Sequence, residues 1–410
     1  MGNFGAFAVK SAALAVLLAG STLAGVAPAV GAESESWVPP MMGMPYVGSE
    51  LTIGQTRIDL LDCPPTKEAP QGFVLEWLRD GVPLPAERQG EILKVTTEDR
   101  GSRISFNVHG VCSESEIFHS PETPPIAASN RAMGWTGRGN YELLGRTNTG
   151  ELVLYPRTYE SHWQDGGFWE RDRYYTSTWD TPRVVGTGWA IFTIVFSPGD
   201  FDGDGHNDVL ARDSAGNLFL YPGNGAGGWL PTVQVGAGWN IFNFIIAGGD
   251  FNGDGNNDVL ARDNVGGLFL YPGDGIGGWL APQKVGAGWQ VFDKIMASGD
   301  TDGDGAMDVF ARDRSGVLHQ YPSNGHGAWK SPVVVGPGWD VMTDLIGAGM
   351  FRPGGLNFRS VSGGSVSEPR NDVTAVDKEG YLRHYYGLPG ARLYGGHHIG
   401  NGWDIFNTLI

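Results

Sequence analysis

The sequence predicts an all-β chain: a five-bladed β-propeller closed by its C-terminal strand, preceded by a small β-sandwich. Three observations predict it. A unit of fifty residues recurs without helical periodicity, its apolar runs are four to eight residues long between Gly, Asn, Asp and Pro, and the segment ahead of the repeats places a Trp between two Cys. At 410 residues, with 65 Gly and only 18% charged residues, the chain is long enough for two domains and is dominated by turns.

Residues 1–32 carry Lys10, an apolar stretch from Ala12 to Ala19, and Val26-Ala27-Pro28-Ala29-Val30-Gly31-Ala32. That order is expected of a secretory signal cut after Ala32, which makes the mature protein secreted, extracellular or cell-wall associated. A membrane anchor would need about 18 unbroken apolar residues. Gly20, Ser21, Thr22, Gly25 and Pro28 interrupt the run, so no membrane insertion is expected.

Residues 36–120 form the predicted sandwich, with alternating segments such as Phe73-Val74-Leu75-Glu76-Trp77-Leu78 and Ile104-Ser105-Phe106-Asn107-Val108. In an exported chain the two cysteines, Cys63 and Cys112, are expected as a disulfide with Trp77 packed on it. Closing that loop would contribute roughly 4 kcal/mol in the chain-entropy account. Val47-Gly48-Ser49-Glu50-Leu51, Trp77-Leu78-Arg79-Asp80-Gly81, and Leu93-Lys94-Val95-Thr96 through Gly101-Ser102-Arg103-Ile104 resemble bacterial surface immunoglobulin-like repeats. The resemblance implies an immunoglobulin-like domain. Residues 121–128, with Pro121-Glu122-Thr123-Pro124-Pro125, read as a linker.

From 129 to 410 the chain reads as blades. Gly199-Asp200-Phe201-Asp202-Gly203-Asp204-Gly205 recurs at 249–255 and 299–305, each time followed by Asp-Val-[Leu/Phe]-Ala-Arg-Asp, an apolar run ending in Tyr-Pro, and Gly-x-Gly-Trp. Four short antiparallel strands per unit make one propeller blade. In the third unit they are expected near Ile241–Ala247, Asp258–Arg262, Leu268–Tyr271 and Gln283–Val285. Degenerate copies flank the clear ones, at Gly145–Pro156 and at Asn371–Tyr385. The chain opens on a blade without its first strand and ends on a first strand without its blade, so Trp403–Ile410 is expected beside Tyr141–Arg146.

Calcium takes six to eight oxygen ligands, and acids at positions 1, 3, 5 and 9 of a Gly-rich turn supply them. Asp200, Asp202, Asp204 and Asp208 fit, as do Asp250, Asn252, Asp254 and Asp258, and Asp300, Asp302, Asp304 and Asp308. Position 7 would add a backbone carbonyl from His206, Asn256 or Ala306. An EF-hand needs a Glu at position 12, and Ala211, Ala261 and Ala311 stand there. The spacing resembles the FG-GAP, or VCBS, calcium loops of integrin α-subunit propellers, from about residue 130 to the end. Three Ca²⁺ ions are expected, because 134–139 and 349–354 lack the acids.

The net charge of -17 argues against nucleic-acid partners, whose phosphates need Lys and Arg clusters. His397-His398 has no acidic or Cys neighbour at ligand spacing, and no nucleophile or phosphate-cradling motif is present, so a non-catalytic role is expected. Val235–Phe242 and Val285–Phe292, with the fifty-residue period, are similar to tachylectin-type five-bladed lectins, which implies sugar binding between blades. Trp229, Trp279 and Trp329, with Asn224, Asp274 and Asn324 at a fixed distance before them, are the candidate ligand residues, although a Trp in each repeat packs blades equally well. Trp239, Trp289 and Trp339 are expected to pack, and Arg212, Arg262 and Arg312 to line the crevice or pair with Asp. The expected function is a calcium-stabilised, lectin-like propeller binding carbohydrate or cell-wall glycan. The alternative is a protein-binding adhesion module of the integrin-propeller kind.

Overall fold

The computed structural model describes residues 41–53, 55–57, 73–111, 116–165, 170–302, 304, 306–349, 371–388, 390 and 392–410. The expected leader, Cys63 and Cys112 lie outside them. Among the described residues no helix is long and apolar enough to cross a membrane.

In the N-terminal part, alternation of apolar side chains gives two sheets that share one core. Met41–Met42, Glu50–Ile53 and Ile92–Lys94 form the first, and Val82–Pro83, Phe73–Arg79, Ile104–Gly110 and Glu116–His119 the second, in that spatial order. Leu51, Ile53, Phe73, Leu75, Leu93, Ile104 and Phe106 close around Trp77, whose ring stands edge-on to Phe106 at 5.4 Å. The Trp77 indole N–H donates to the Gly90 carbonyl at 2.8 Å, so burial leaves no unpaired donor there. Ile126 and Ala127 are bonded into this unit, Gly101 N to Ile126 O at 2.8 Å and Val47 N to Ala127 O at 3.0 Å. The end of the Pro-rich connection is therefore packed structure.

The repeats form four-stranded antiparallel sheets. In the third unit the strands are Phe242–Gly249, Asp258–Asp263, Leu268–Tyr271 and Gln283–Gly286. The unit before it has Phe192–Gly199, Asp208–Asp213, Leu218–Tyr221 and Val233–Gly236, and the unit after it Phe292–Gly299, Asp308–Asp313, Leu318–Tyr321 and Val333–Gly336. A further sheet has Met342–Gly349, Asp372–Asp377, Leu382–Leu388 and Arg392–Gly400. The N-terminal sheet of the series has Leu143–Thr147, Leu152–Tyr155 and Arg183–Gly186, and takes Phe406–Leu409 from the far end of the chain. There Phe406 pairs with Thr147 and Leu409 with Gly145. The aromatic insertion in that sheet folds as a long hairpin, Arg157–Asp165 with Glu170–Trp179, to which Gln55–Arg57 adds a strand.

The second strand of each repeat is buried on both faces, as Val209, Leu210 and Ala211 are, because neighbouring sheets cover it from either side. Leu210, Leu218 and Leu220 pack against Trp239, Phe242, Ile245 and Val259 of the next sheet. The same mixed core recurs along the series and joins Ile346, Val376 and Leu382 to Tyr141, Leu143, Trp403 and Leu409. Each Gly-x-Gly-Trp places its Trp after a glycine in the left-handed region, Gly238 at φ 77°, and buries the ring. Trp239 stacks on Tyr271 at 4.6 Å and on Trp279 at 5.2 Å, a packing role as expected.

Arginines clamp successive sheets together. Arg262 Nη1 donates to the Trp289 and Phe292 carbonyls at 2.9 and 2.7 Å, and Arg212, Arg312 and Arg146 repeat the arrangement on the units that follow them. Arg312 also pairs with Asp293 at 2.8 Å. A charged donor with two buried acceptors is worth about 2 kcal/mol. Arg262→Met is therefore expected to lower the unfolding free energy by that amount, read as a lower urea midpoint at unchanged denaturant slope, and an unshifted midpoint would show that the clamp carries no stability.

Candidate functional site

Each inner strand ends at a glycine, and the following Asp-Gly loop folds its carboxylates inward by binding its own amides. Asp200 Oδ1 accepts from Gly203 N at 2.7 Å and Oδ2 from Gly205 N at 3.1 Å, and Asp204 Oδ1 accepts from His206 N at 2.8 Å. Asp208, fully buried at the start of the next strand, accepts from Phe201 N and Gly223 N, both at 2.8 Å. Gly203 has no room for a side chain, because a Cβ there would stand 2.3 Å from the Gly275 carbonyl of the next repeat.

The second loop repeats this geometry. Asp250 accepts from Gly253 N at 2.7 Å and Gly255 N at 2.9 Å, and Asp258 from Phe251 N at 3.0 Å and Gly273 N at 3.1 Å. Asn252 stands at position 3 and its amide donates to Asp254 Oδ2 at 2.8 Å.

Carboxylate oxygens of Asp200, Asp202 and Asp208 lie within 4.8 Å of one another, as do those of Asp300, Asp302 and Asp304. Burial, opposed by the backbone amides and reinforced by neighbouring acids, pushes the Asp208 carboxyl up to about 8 and Asp200 to about 6. Asp258 is likewise pushed up to about 8 by burial and then by Asp254, and Asp250 is raised. Converging buried carboxylates that resist ionisation lack a positive charge among them, and a divalent cation supplies it. The oxygen-only donor set suits a hard ion such as Ca²⁺. In the first loop Asp200, Asp202 and Asp208 converge as such a donor set, and the second loop repeats its amide contacts with Asp250 and Asp258 raised by burial in the same way.

The third loop differs. Asp308 accepts from Thr301 N at 2.9 Å and Ser323 N at 3.0 Å, as its counterparts do, but also from Thr301 Oγ1 at 2.5 Å and Gln320 Nε2 at 3.1 Å. Lys330 Nζ lies 2.9 Å from Asp302 Oδ2 and also contacts Asp304 Oδ2. Burial opposes that ammonium, yet Asp304 and Asp302 outweigh it and hold the lysine pKa above its ordinary value. The third loop thus carries the same motif acids among different neighbours.

The position-9 acid persists where the motif fails. In the N-terminal sheet Glu142, fully buried, accepts from Trp135 N at 2.7 Å and Thr136 N at 3.1 Å, and Asp372 accepts from Gly387 N at 3.0 Å. A carboxylate at the strand start thus organises the loop with or without the other acids. Only Asp372 was visible as part of a degenerate repeat; Glu142 gave no sequence signal.

The candidate ligand residues have structural work. Trp229, Trp279 and Trp329 donate their indole N–H to the carbonyls of Val185, Val235 and Val285 in the preceding sheet at 3.0, 2.9 and 2.9 Å. Asn224 Oδ1 accepts from Ala226 N and Gly228 N, both at 2.9 Å. Asp274 and Asn324 cap their turns in the same way. The three indole N–H groups and one side-chain oxygen of each turn residue are thus used within the fold, where these residues join sheets and cap turns. A Trp recurring once per blade carries the same sequence signal whether it packs or binds.

The loop side of the propeller also meets the N-terminal sandwich. Arg100 Nη2 donates to the Gly255 carbonyl at 3.0 Å and contacts Asn256 Oδ1. Ser129 Oγ donates to Asn207 Oδ1 at 2.9 Å, and Asp200 N to Ser129 O at 2.8 Å. Beside these contacts lies a cleft of about 260 Å³, with Lys94, Thr97, Trp135, Asp204 and His206 in its wall. Trp135 is 2% exposed and its indole N–H has no acceptor. Sequence reasoning missed this cleft because its walls come from segments far apart along the chain, around Lys94, Trp135 and Asp204.

The FG-GAP-like repeat family matches residues 200–261 and 250–311. Among curated proteins none matches this chain. Solved structures similar to it include a lectin from Burkholderia pseudomallei, at 17% identity, TM-score 0.36, with 80% of this chain and 98% of that one covered. Another is an Agrocybe aegerita lectin that recognises non-reducing terminal N-acetylglucosamine, at 14% identity, TM-score 0.34, covering 90% and 91%. A rhamnogalacturonan lyase from Bacillus licheniformis is similar at 13% identity, TM-score 0.24, covering 89% and 70%.

Proposed function

Starting from a chain whose residues 200–311 are FG-GAP-like repeats of a β-propeller, we propose that it is an exported, non-catalytic, calcium-stabilised five-bladed ring that binds glycan in the cleft beside its first Asp loop. The leader-like residues 1–32 support export, and the pairing of Phe406–Leu409 with Leu143–Thr147 supports ring closure. Calcium braces the loops and does no chemistry. The unpartnered indole of Trp135 in the cleft wall carries the glycan reading. A sugar offers a hydroxyl acceptor for that N–H and further hydroxyls for Lys94, Thr97 and Asp204.

A glycan and peptidoglycan array run with calcium and with chelator tests this. Binding to a saccharide is expected, with Trp135→Phe weakening it at least about 5-fold by removing one buried hydrogen bond. Binding to no saccharide by a folded, calcium-loaded protein would overturn the reading. A protein partner is favoured by one separate observation: Ile191, Ile241, Val291, Val341 and Ile405, at the same place in successive repeats, are 43–67% exposed. Pull-down of a protein that Ile241→Asp abolishes would favour that alternative.

A further inference from the structure

By its acids alone the third loop should be at least the equal of the second, because it keeps Asp300, Asp302, Asp304 and Asp308 where the second has Asn252. Its neighbours reverse that expectation. Lys330 N bonds Pro322 O at 2.8 Å, just as Leu230 N bonds Pro222 O and Leu280 N bonds Pro272 O at 2.8 Å. The backbone position is the same in all three repeats, and only the side chain differs. Leu230 and Leu280 are 45% and 49% exposed and bring no charge to their loops, whereas the Lys330 ammonium contacts Asp302 and Asp304.

Two further exchanges act at Asp308. Phe201 and Phe251 are fully buried against Trp279 and Trp329, at 4.6 and 4.8 Å between ring centroids. Thr301 stands at that place in the third repeat and gives its hydroxyl to Asp308 Oδ2. Leu220 and Leu270 are likewise replaced by Gln320, which donates to the same oxygen and to Thr301 Oγ1. A hydroxyl, an amide and an ammonium thus meet the carboxylates that an ion would otherwise gather.

We propose that the third Asp loop is neutralised by the chain itself, with Lys330 as its tethered cation, so that the protein holds two divalent ions and not three. This rests on the calcium reading of the first two loops. A divalent ion entering the third would have to expel an ammonium that two carboxylates hold, and would meet an Asp308 oxygen already taken by Thr301 and Gln320. Lys330 is the residue that determines which loops are selective for calcium. Among the described residues no ammonium contacts the acids of the first two loops, and the one guanidinium at the second, Arg100, reaches its Gly255 carbonyl and Asn256 instead.

Calcium bound per full-length chain, measured by equilibrium dialysis with metal analysis, tests the proposal. Wild type is expected to bind two ions. Restoring the residues of the other repeats, with Lys330→Leu, Thr301→Phe and Gln320→Leu together, is expected to raise this to three, while Lys330→Arg, which keeps the tethered charge, stays at two. Thermal unfolding of each variant shows whether it is folded. Three ions in wild type, or two in the folded triple variant, would overturn the proposal and leave calcium binding itself intact. No calcium in wild type or in any folded variant would instead overturn the calcium reading on which it rests.

Discussion

Removing residues 402–410 is expected to abolish the cooperative unfolding transition of the propeller. Those residues supply the fourth strand of the N-terminal sheet of the series, with Leu144 N donating to Ile410 O at 2.8 Å and Ile410 N to Leu144 O at 3.0 Å. They also supply Trp403, which stacks on Tyr155 at 4.6 Å and packs near Trp179 at 6.2 Å, and the buried Leu409. Losing Trp403, Phe406 and Leu409 forfeits about 6 kcal/mol of apolar burial. That is a large part of the roughly 5–15 kcal/mol by which a typical domain is stable. The truncation also bares the backbone of Leu143–Thr147 as an open edge, which invites association between chains. Near-ultraviolet circular dichroism and size-exclusion chromatography read the result. A shortened chain that melts like the intact one would show that the terminal strand does not hold that sheet together.

The second large effect is the removal of calcium, and its size depends on pH in a direction fixed by the carboxylates. At 1 mM calcium, two sites with dissociation constants of about 10⁻⁴ M would together stabilise the fold by about 3 kcal/mol. For a unit of this size that is a midpoint shift of roughly 6 to 12 °C. In the metal-free protein burial raises Asp208 and Asp258 to about 8, above their unfolded value of 3.8. The folded state then holds more protons than the unfolded one between those values, so stability without calcium falls as pH rises from about 4 to about 8. Calcium binds the ionised carboxylates, so its stabilisation grows over the same interval. Thermal midpoints from pH 5 to 8 should therefore fall in chelator and stay level or rise in calcium. Parallel curves in the two buffers would remove these carboxylates from the calcium sites.

The sequence by itself determined the repeat, its strands and the loops that turn between them. The strands of the third unit begin and end within two residues of their expected places, because Gly, Pro and Asp punctuate a period that side-chain burial then follows. The position-1 to position-9 acids could be read for the same reason, since a loop folded on its own amides is a local structure. What only the tertiary structure decided is whatever depends on atoms brought from elsewhere in the chain. Trp279 and Arg262 carry no mark of the carbonyls they reach, 44 and 27 residues distant. Glu142 replaces an aspartate of the motif, and nothing around it in sequence announces the replacement. Trp135 lines a cleft only because the sandwich lies against the Asp loops. Lys330, twenty-six residues after Asp304, becomes that loop's cation only when the third strand and its turn fold back over it. Whether an acidic loop gathers a metal ion depends on the total charge around it, and that sum is taken in space rather than along the chain.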